Sequence, residues 1–199
     1  MKINIPNKVN QLIDTKLKEF QSFSNKTDKG WFQELCFCIL AANSKQKTAQ
    51  QIQESLKDRL LTINQSALAL YIKNSKHRFH NNKAKYIIEA RKHHPLKEKL
   101  TGNESENRNW LVNNIKGIGM KEASHFLRNT GSQNLAILDR HILRTLEENN
   151  IISEMPKLLS QKQYLIIEQK FQDLAKQLNM SPARLDLMVW YLKTGKVAK

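Results

Sequence analysis

A lysine and an aspartate in the middle of the chain have the types and spacing needed for covalent catalysis. Lys121 follows the Gly-Ile-Gly of residues 117–119 and lies in the first turn of a predicted helix. The positive end of a helix dipole disfavours a protonated amine, and a neutral lysine amine can form a Schiff base. Asp139 comes eighteen positions later, where an amphipathic helix begins. This aspartate either only caps that helix or also presents its carboxylate to a cationic transition state.

The turn that must position Lys121 is predicted to be a hairpin between two helices. Apolar residues recur at helical spacing before it (Trp110, Leu111, Ile115) and after it (Ala123, Phe126, Leu127). Gly117 and Gly119 can adopt positive φ at little cost, so the turn can be tight. Amides at the start of the second helix then point outward and attract anions. The pattern predicts a helix-hairpin-helix that holds a nucleic-acid phosphate, and the alternative is an ordinary helix-helix turn.

Helical spacing of apolar residues dominates the chain, and no segment has a convincing strand pattern. The predicted helices cover 9–23, 31–42, 47–56, 67–72, 86–93, 109–115, 121–127, 142–149, 160–178 and 181–193. We therefore predict an all-α fold.

The composition predicts an intracellular protein with a polyanionic partner. The 199 residues carry a net charge of +15, which favours nucleic acid over a membrane surface as the partner. There is no apolar run of about 18 residues, and the N-terminus lacks the apolar core of a signal peptide. Cys36 and Cys38 are the only cysteines, so the chain cannot supply the four ligands of an iron-sulfur cluster. We expect both thiols to pack in the core and the protein to be cytoplasmic.

Two polar segments in the first half are candidates for DNA contact. Residues 76–86 are densely basic with Phe79 and Tyr86 interleaved, so Arg78 and its neighbours form either a DNA-facing surface or a solvated helix face. Asn43 follows a predicted core helix and is either a C-cap or a residue that reaches DNA.

Two segments of the sequence resemble those of a known family: Ile-Lys-Gly-Ile-Gly-Met-Lys-Glu-Ala-Ser-His at 115–125 and Ile-Leu-Asp-Arg-His at 137–141. They are typical of the helix-hairpin-helix, Gly/Pro…Asp superfamily of DNA base-excision glycosylases. The C-terminal Tyr-Leu-Lys-Thr-Gly-Lys-Val at 191–197 narrows the resemblance to the type 2 archaeal 8-oxoguanine DNA glycosylase/lyases. The resemblance runs from about residue 19 to 199. One departure is Lys116, where the superfamily often has proline before the first glycine.

The resemblance implies a two-lobed helical DNA glycosylase fold with the active site in the groove between the lobes. One lobe is expected over residues 27–131 and ends with the hairpin. The second lobe is expected to combine residues 1–26 and 132–199.

The resemblance also implies roles for individual residues. Lys121 and Asp139 would be catalytic, and Trp190 and Lys199 would recognise the base. DNA-binding positions would be Gly117, Gly119, Lys116, Asn43 and Arg78. No cofactor or catalytic metal is implied, although the backbone carbonyls of Asn113, Ile115 and Ile118 match a monovalent-cation site of the superfamily.

The implied activity is excision of 8-oxoguanine from double-stranded DNA by a monomer, followed by strand cleavage through a Schiff base. Two alternatives remain open at this point. One is a glycosylase/lyase for another damaged base. The other is a non-catalytic helix-hairpin-helix DNA-binding protein, in which Lys121 and Asp139 would coincide by chance.

Overall fold

Helices alone build the part of the chain that the structure describes, residues 4–197 of a computed structural model. These residues contain no strand, which confirms the all-α prediction. The α-helices are α1 (Asn7–Phe23), α2 (Asp28–Ala41), α3 (Gln46–Leu56), α4 (Gln65–Asn74), α5 (His80–Ala90), α6 (Glu104–Asn114), α7 (Met120–Asn129), α8 (Arg140–Glu148), α9 (Gln161–Gln177) and α10 (Pro182–Thr194), with short 3-10 helices at Lys57–Leu61 and Arg91–His93. Over residues 4–197, no helix has both the length and the apolar character that a membrane span requires.

Two helices, α5 and α6, begin at least five residues earlier than their apolar spacing predicts. α6 starts at Glu104 because Asn103 and Glu106 form a capping box. The Asn103 side chain accepts the Glu106 amide at 3.0 Å, and the Glu106 carboxylate accepts the Asn103 amide at 2.8 Å. These bonds satisfy two backbone N–H groups at the helix start, so the helix can begin at polar residues, before its first apolar residue. α5 starts at His80, directly after Phe79 turns the chain with a left-handed backbone (φ 57°).

The described chain divides into two compact units. Asn25–Phe126 form one unit, and the residues before and after this range form the other. The second boundary falls inside α7.

The Asn25–Phe126 unit is built around α2, which is buried along its length from Phe32 to Leu40. α3, α5 and the first 3-10 helix pack against α2, and α4 packs against α5. Cys36 and Cys38 are free thiols in this core, as predicted. Burial raises the pKa of the Cys36 thiol, so this cysteine stays protonated and unreactive.

The other unit is centred on α10, which packs against α1, α8 and α9. Ile13 and Phe20 of α1 cluster there with Leu187 and Met188 of α10. Gly195 ends α10 in a left-handed conformation (φ 71°), and the chain then turns back so that Val197 packs against this cluster.

Candidate functional site

The hairpin between α6 and α7 occupies residues 115–119 and depends on Gly117. Gly117 has φ +83°, in the left-handed region where a side chain is strained. A Cβ at this position would also overlap the ring of Tyr86 on α5. The tight turn is therefore as predicted, and Gly117 is required both by conformation and by space.

Gly119 contributes to the start of α7. Positive φ occurs at Gly117 but not at Gly119, so of the two glycines only Gly117 uses this conformational freedom. The Gly119 carbonyl instead accepts the Ala123 amide at 2.9 Å, the first hydrogen bond of α7. An added Cβ would meet only the Glu122 carboxylate at 3.5 Å, an ordinary contact. Gly119 therefore leaves the start of α7 uncovered without being needed for the turn.

The hairpin and α5 share one surface of the Asn25–Phe126 unit. Besides the contact of Tyr86 with Gly117, the Lys116 amine lies 3.2 Å from the Glu89 carboxylate of α5. Lys116 is largely exposed, so its amine can exchange this carboxylate for another anion.

Lys121 lies in the first turn of α7, as predicted. Its Nζ is 2.9 Å from Oε1 of Glu122, and the lysine side chain is 34% exposed while that of Glu122 is 15% exposed. The amine is thus reachable from solvent and is held in an ion pair with a neighbouring carboxylate. Glu122 was not a candidate from the sequence, where an acid in a first helical turn reads only as a favourable dipole contact.

Asp139 is the N-cap of α8, as predicted. Its Oδ1 accepts the amides of His141 at 2.8 Å and Ile142 at 2.9 Å. Both bonds end on one oxygen, and residues 4–197 place no hydrogen bond on Oδ2. The capping role and a role in catalysis are therefore compatible, because each can use a different oxygen.

A buried carboxyl of α10, Asp186, is affected by the charge of Asp139 within the same unit. Burial raises the pKa of Asp186 to about 7, although the Arg128 guanidinium at 2.8 Å opposes this shift. The negative charge of Asp139 adds to the increase. Sequence reasoning missed Asp186, which occupies an ordinary core-facing position of α10.

The base-recognition candidates are only partly covered by the structure. Trp190 of α10 is half-buried, and its ring stands edge-on to the ring of His141 with centroids 5.1 Å apart at 87°. His141 follows Asp139 by two residues, so this contact links Trp190 to the start of α8. Lys199 lies outside the described residues.

Asn43 is exposed and left-handed (φ 51°) just after α2 ends. The turn that carries it is fixed by Lys83 of α5, whose buried amine donates to the Leu40 carbonyl and to Ser44 Oγ. Burial lowers the pKa of Lys83 to about 8. Nothing in the basic run around Lys83 indicates that this lysine is a buried structural group.

Arg78 is exposed, and its guanidinium carbon lies 4.8 Å from the centre of the Phe79 ring. Phe79 keeps 49% of its surface exposed despite being a large apolar residue. An exposed cation stacked on an exposed ring is suited to contact with phosphates and bases. Tyr86 is used differently, as the neighbour of Gly117.

The structure places most of the DNA-contact candidates in one unit. Lys116, Gly117, Gly119, Lys121, Asn43 and Arg78 belong to the Asn25–Phe126 unit, whereas Asp139 and Trp190 belong to the other. Among residues 4–197, no group of three or more His, Cys, Asp or Glu side chains is arranged to hold a metal ion.

Two solved structures share this fold at substantial sequence identity. The 8-oxoguanine glycosylase/lyase of Methanocaldococcus jannaschii, in complex with 15mer DNA containing 8-oxoguanine, matches with a TM-score of 0.94 and 47% identity, covering 97% of this chain and 94% of that one. The 8-oxoguanine DNA glycosylase of Thermotoga maritima matches with a TM-score of 0.92 and 38% identity, covering 96% and 93%. The fold is that of the helix-hairpin-helix DNA glycosylases, as predicted.

The sequence comparisons define the family. The family model described as 8-oxoguanine DNA glycosylase matches residues 13–180. The curated 8-oxoguanine DNA glycosylase/AP lyase of M. jannaschii is 48% identical over 193 residues, which cover 96% of this chain and 93% of that protein. This chain belongs to the 8-oxoguanine DNA glycosylase family.

Proposed function

We propose that this chain is a bifunctional base-excision repair enzyme that removes 8-oxoguanine from double-stranded DNA and then cleaves the strand. One observation carries the proposal. Lys121 stands in the first turn of α7, directly after the hairpin and in contact with a carboxylate, in a chain whose relatives are named 8-oxoguanine DNA glycosylase/AP lyase. An accessible amine is the group that a Schiff-base lyase requires.

Lys121 performs the covalent step. The Lys121 ammonium, held in place by Glu122, first gives up a proton to solvent, and the neutral Nζ then attacks C1′ of the damaged nucleotide. The C1′–N9 bond breaks, and the base leaves with its electron pair and takes up a proton. The bound amine then loses a proton and O4′ gains one as the C1′–O4′ bond opens, which leaves a C1′=N imine. Loss of a C2′ proton from this imine expels the 3′ phosphate and cuts the strand.

Asp139 stabilises the positive charge that develops on the sugar as the glycosidic bond breaks. Its Oδ1 is committed to the first amides of α8, so Oδ2 supplies the negative charge. The rigid helix start holds the carboxylate in place, and no organic cofactor is needed for either step.

The hairpin holds a backbone phosphate near the lesion. Gly119 is exposed and adds no side chain at the start of α7, and helix N-termini bind anions. The carbonyls of Asn113, Ile115 and Ile118 suit the monovalent cation of the superfamily: Asn113 lies in the last turn of α6, where carbonyls lack helical partners, and Ile115 accepts a long 3.3 Å bond from Ile118. A bound cation would add positive charge next to the phosphate.

Arg78, Lys116 and Asn43 extend this DNA-binding surface. Arg78 and Lys116 are exposed cations that can pair with phosphates. Asn43 lies beyond the end of α2, and its side chain is exposed. Extruding a base costs a few kcal/mol, and side chains that fill the resulting gap repay part of this cost.

Trp190 and Lys199 complete the base pocket in this proposal. The indole face of Trp190 stacks on the extruded purine, while its edge contact with His141 fixes the ring. Lys199 takes part in recognising the same base. Because one chain supplies both Lys121 and Asp139, we further propose that the enzyme works as a monomer on DNA inside the cell.

A lesion panel tests the function. Duplexes containing 8-oxoguanine, an oxidised pyrimidine, adenine opposite 8-oxoguanine, or no damage are incubated with the protein, and free base and nicked strand are quantified separately. We expect base release and nicking only from the strand containing 8-oxoguanine. Preferential release of another base would establish a different glycosylase, and binding without any release would establish a DNA-binding protein.

A further inference from the structure

The segment that leads into Asp139 is held by side chains of α9. Residues 133–138 are not helical, and four of them, Leu135 to Leu138, are buried. Buried backbone amides and carbonyls need hydrogen-bond partners. Three polar residues of α9, spaced four apart and therefore on one face of the helix, supply them: Tyr164, Glu168 and Gln172.

These side chains bond to alternate residues of the segment. Gln172 Nε2 donates to the Asn134 carbonyl at 2.8 Å, and Glu168 Oε1 accepts the Ala136 amide at 2.9 Å. The Tyr164 hydroxyl donates to the Ala136 carbonyl at 2.6 Å and accepts the Leu138 amide at 3.3 Å. The α9 side chains therefore satisfy buried backbone groups in a segment that is not part of a helix.

These hydrogen bonds from Tyr164, Glu168 and Gln172 to residues 134–138 form a ladder. The ladder ends one residue before Asp139, whose carboxylate caps α8. The Tyr164 hydroxyl joins Ala136 to Leu138, and Leu138 is bonded covalently to Asp139. Tyr164 and Glu168 are both buried, so their hydrogen bonds are shielded from water and fix the segment along the axis of α9. The position of Asp139 is therefore set from two sides, by the α8 amides and by this ladder.

We propose that Tyr164 and Glu168 are positioning residues that place Asp139 for base excision. The inference rests on the proposed function of Asp139. Displacement of a reacting group by about 1 Å can cost roughly a hundredfold in rate. Loss of the Tyr164 hydrogen bonds next to Asp139 should therefore slow excision more than loss of the Gln172 hydrogen bond at Asn134.

The test measures single-turnover excision of 8-oxoguanine and, separately, affinity for lesion DNA. Tyr164→Phe keeps the ring and removes the hydroxyl, and we expect excision to fall about tenfold or more with affinity within about twofold. Glu168→Gln keeps an acceptor for the Ala136 amide and should retain most of the rate, whereas Glu168→Leu should lose it. Gln172→Leu should lose less than Tyr164→Phe. Gln169→Leu, which removes an exposed pair with Asp173 on the same helix, is the matched control.

A double-mutant cycle separates positioning from a general loss of stability. In an Asp139→Asn background, Tyr164→Phe should cause no further loss of excision, because no carboxylate remains to be positioned. All variants are assayed below their melting transitions. If Tyr164→Phe does not fold, the contrast between Glu168→Gln and Glu168→Leu decides the question in the same way.

The outcomes distinguish this inference from the proposed function. Wild-type excision by Tyr164→Phe, equal rates in the two Glu168 variants, or losses that multiply in the Asp139→Asn background would overturn the positioning role. Near-wild-type excision by Asp139→Asn alone would instead overturn the catalytic role proposed for Asp139, and absence of 8-oxoguanine release by the wild-type protein would overturn the proposed function.

Discussion

At the scale of single residues, Asp139 can cap a helix and act in catalysis at the same time. Both hydrogen bonds from the backbone amides of α8 end on Oδ1, so a substitution can separate the capping role from the catalytic role. Asn caps helices about as well as Asp, so Asp139→Asn should fold with an unchanged melting temperature. We expect it to lose most base excision, since the amide carries no negative charge. Base-release kinetics and thermal melts on one preparation check this, and near-wild-type excision would leave Asp139 as a cap only.

Asp186 gives the protein a measurable dependence of stability on pH. Its folded-state pKa of about 7 is above the ordinary value of 3.8, so between these values the folded protein keeps a proton that the unfolded chain releases. The Asp186 contribution to the free energy of unfolding should therefore fall as pH rises from about 4 to about 7. In Asp186→Asn this contribution is absent. Denaturant titrations of both proteins across this window should give a difference that changes with pH, and a constant difference would contradict the assignment.

The residue-scale predictions from the sequence succeeded where chemistry is local. The positions of Lys121 and Asp139 at helix starts could be predicted, because glycines precede the first helix and an apolar run precedes the second in the sequence. Glu122, Asp186 and Glu168 were missed because each takes its role from a neighbour or an environment that only folding supplies. A buried carboxylate on α9 has the same sequence appearance as one on a solvated face.

At the scale of elements, the two glycines of the hairpin have different roles. Gly117 allows the turn to form, and Gly119 leaves room for a ligand at the start of α7. Gly117→Ala forces a side chain into the left-handed region and against Tyr86, so the free energy of unfolding should fall by about 1 kcal/mol or more. Gly119→Ala meets only an ordinary contact and should leave stability nearly unchanged while weakening DNA binding, because its methyl group covers the start of α7. Melts and DNA titrations of both variants test the pair. Equal destabilisation by the two alanines would refute this division.

The helices themselves show what apolar periodicity can and cannot reveal. α1, α3 and α10 were predicted to within about two residues because an apolar stripe runs along most of each helix. α5 and α6 begin before their apolar residues do, at a left-handed Phe79 and at a capping box. The ladder between α9 and residues 134–138 has no local signal at all, because its partners are separated by roughly thirty positions in the sequence.

At the scale of the whole molecule, the charge of +15 should control DNA affinity. Each phosphate contact contributes about −0.9 to the slope of log affinity against log salt for duplex DNA. We expect a slope steeper than about −3, and Lys116→Gln should reduce its magnitude by about 1 if Lys116 contacts a phosphate. Fluorescence anisotropy across a range of salt concentrations measures both values. A wild-type slope near zero would count against DNA as the partner.

The central claim is that Lys121 forms a covalent imine with the damaged strand, and borohydride trapping tests it most directly. Reduction of the imine by borohydride leaves the protein permanently attached to DNA, and the product is resolved on a denaturing gel. Wild-type protein and Lys116→Gln, which removes a neighbouring exposed amine, should both be trapped on 8-oxoguanine duplexes. Lys121→Gln should bind the same DNA without any trapped product or nick, and trapping of Lys121→Gln at wild-type efficiency would show that another amine is the nucleophile.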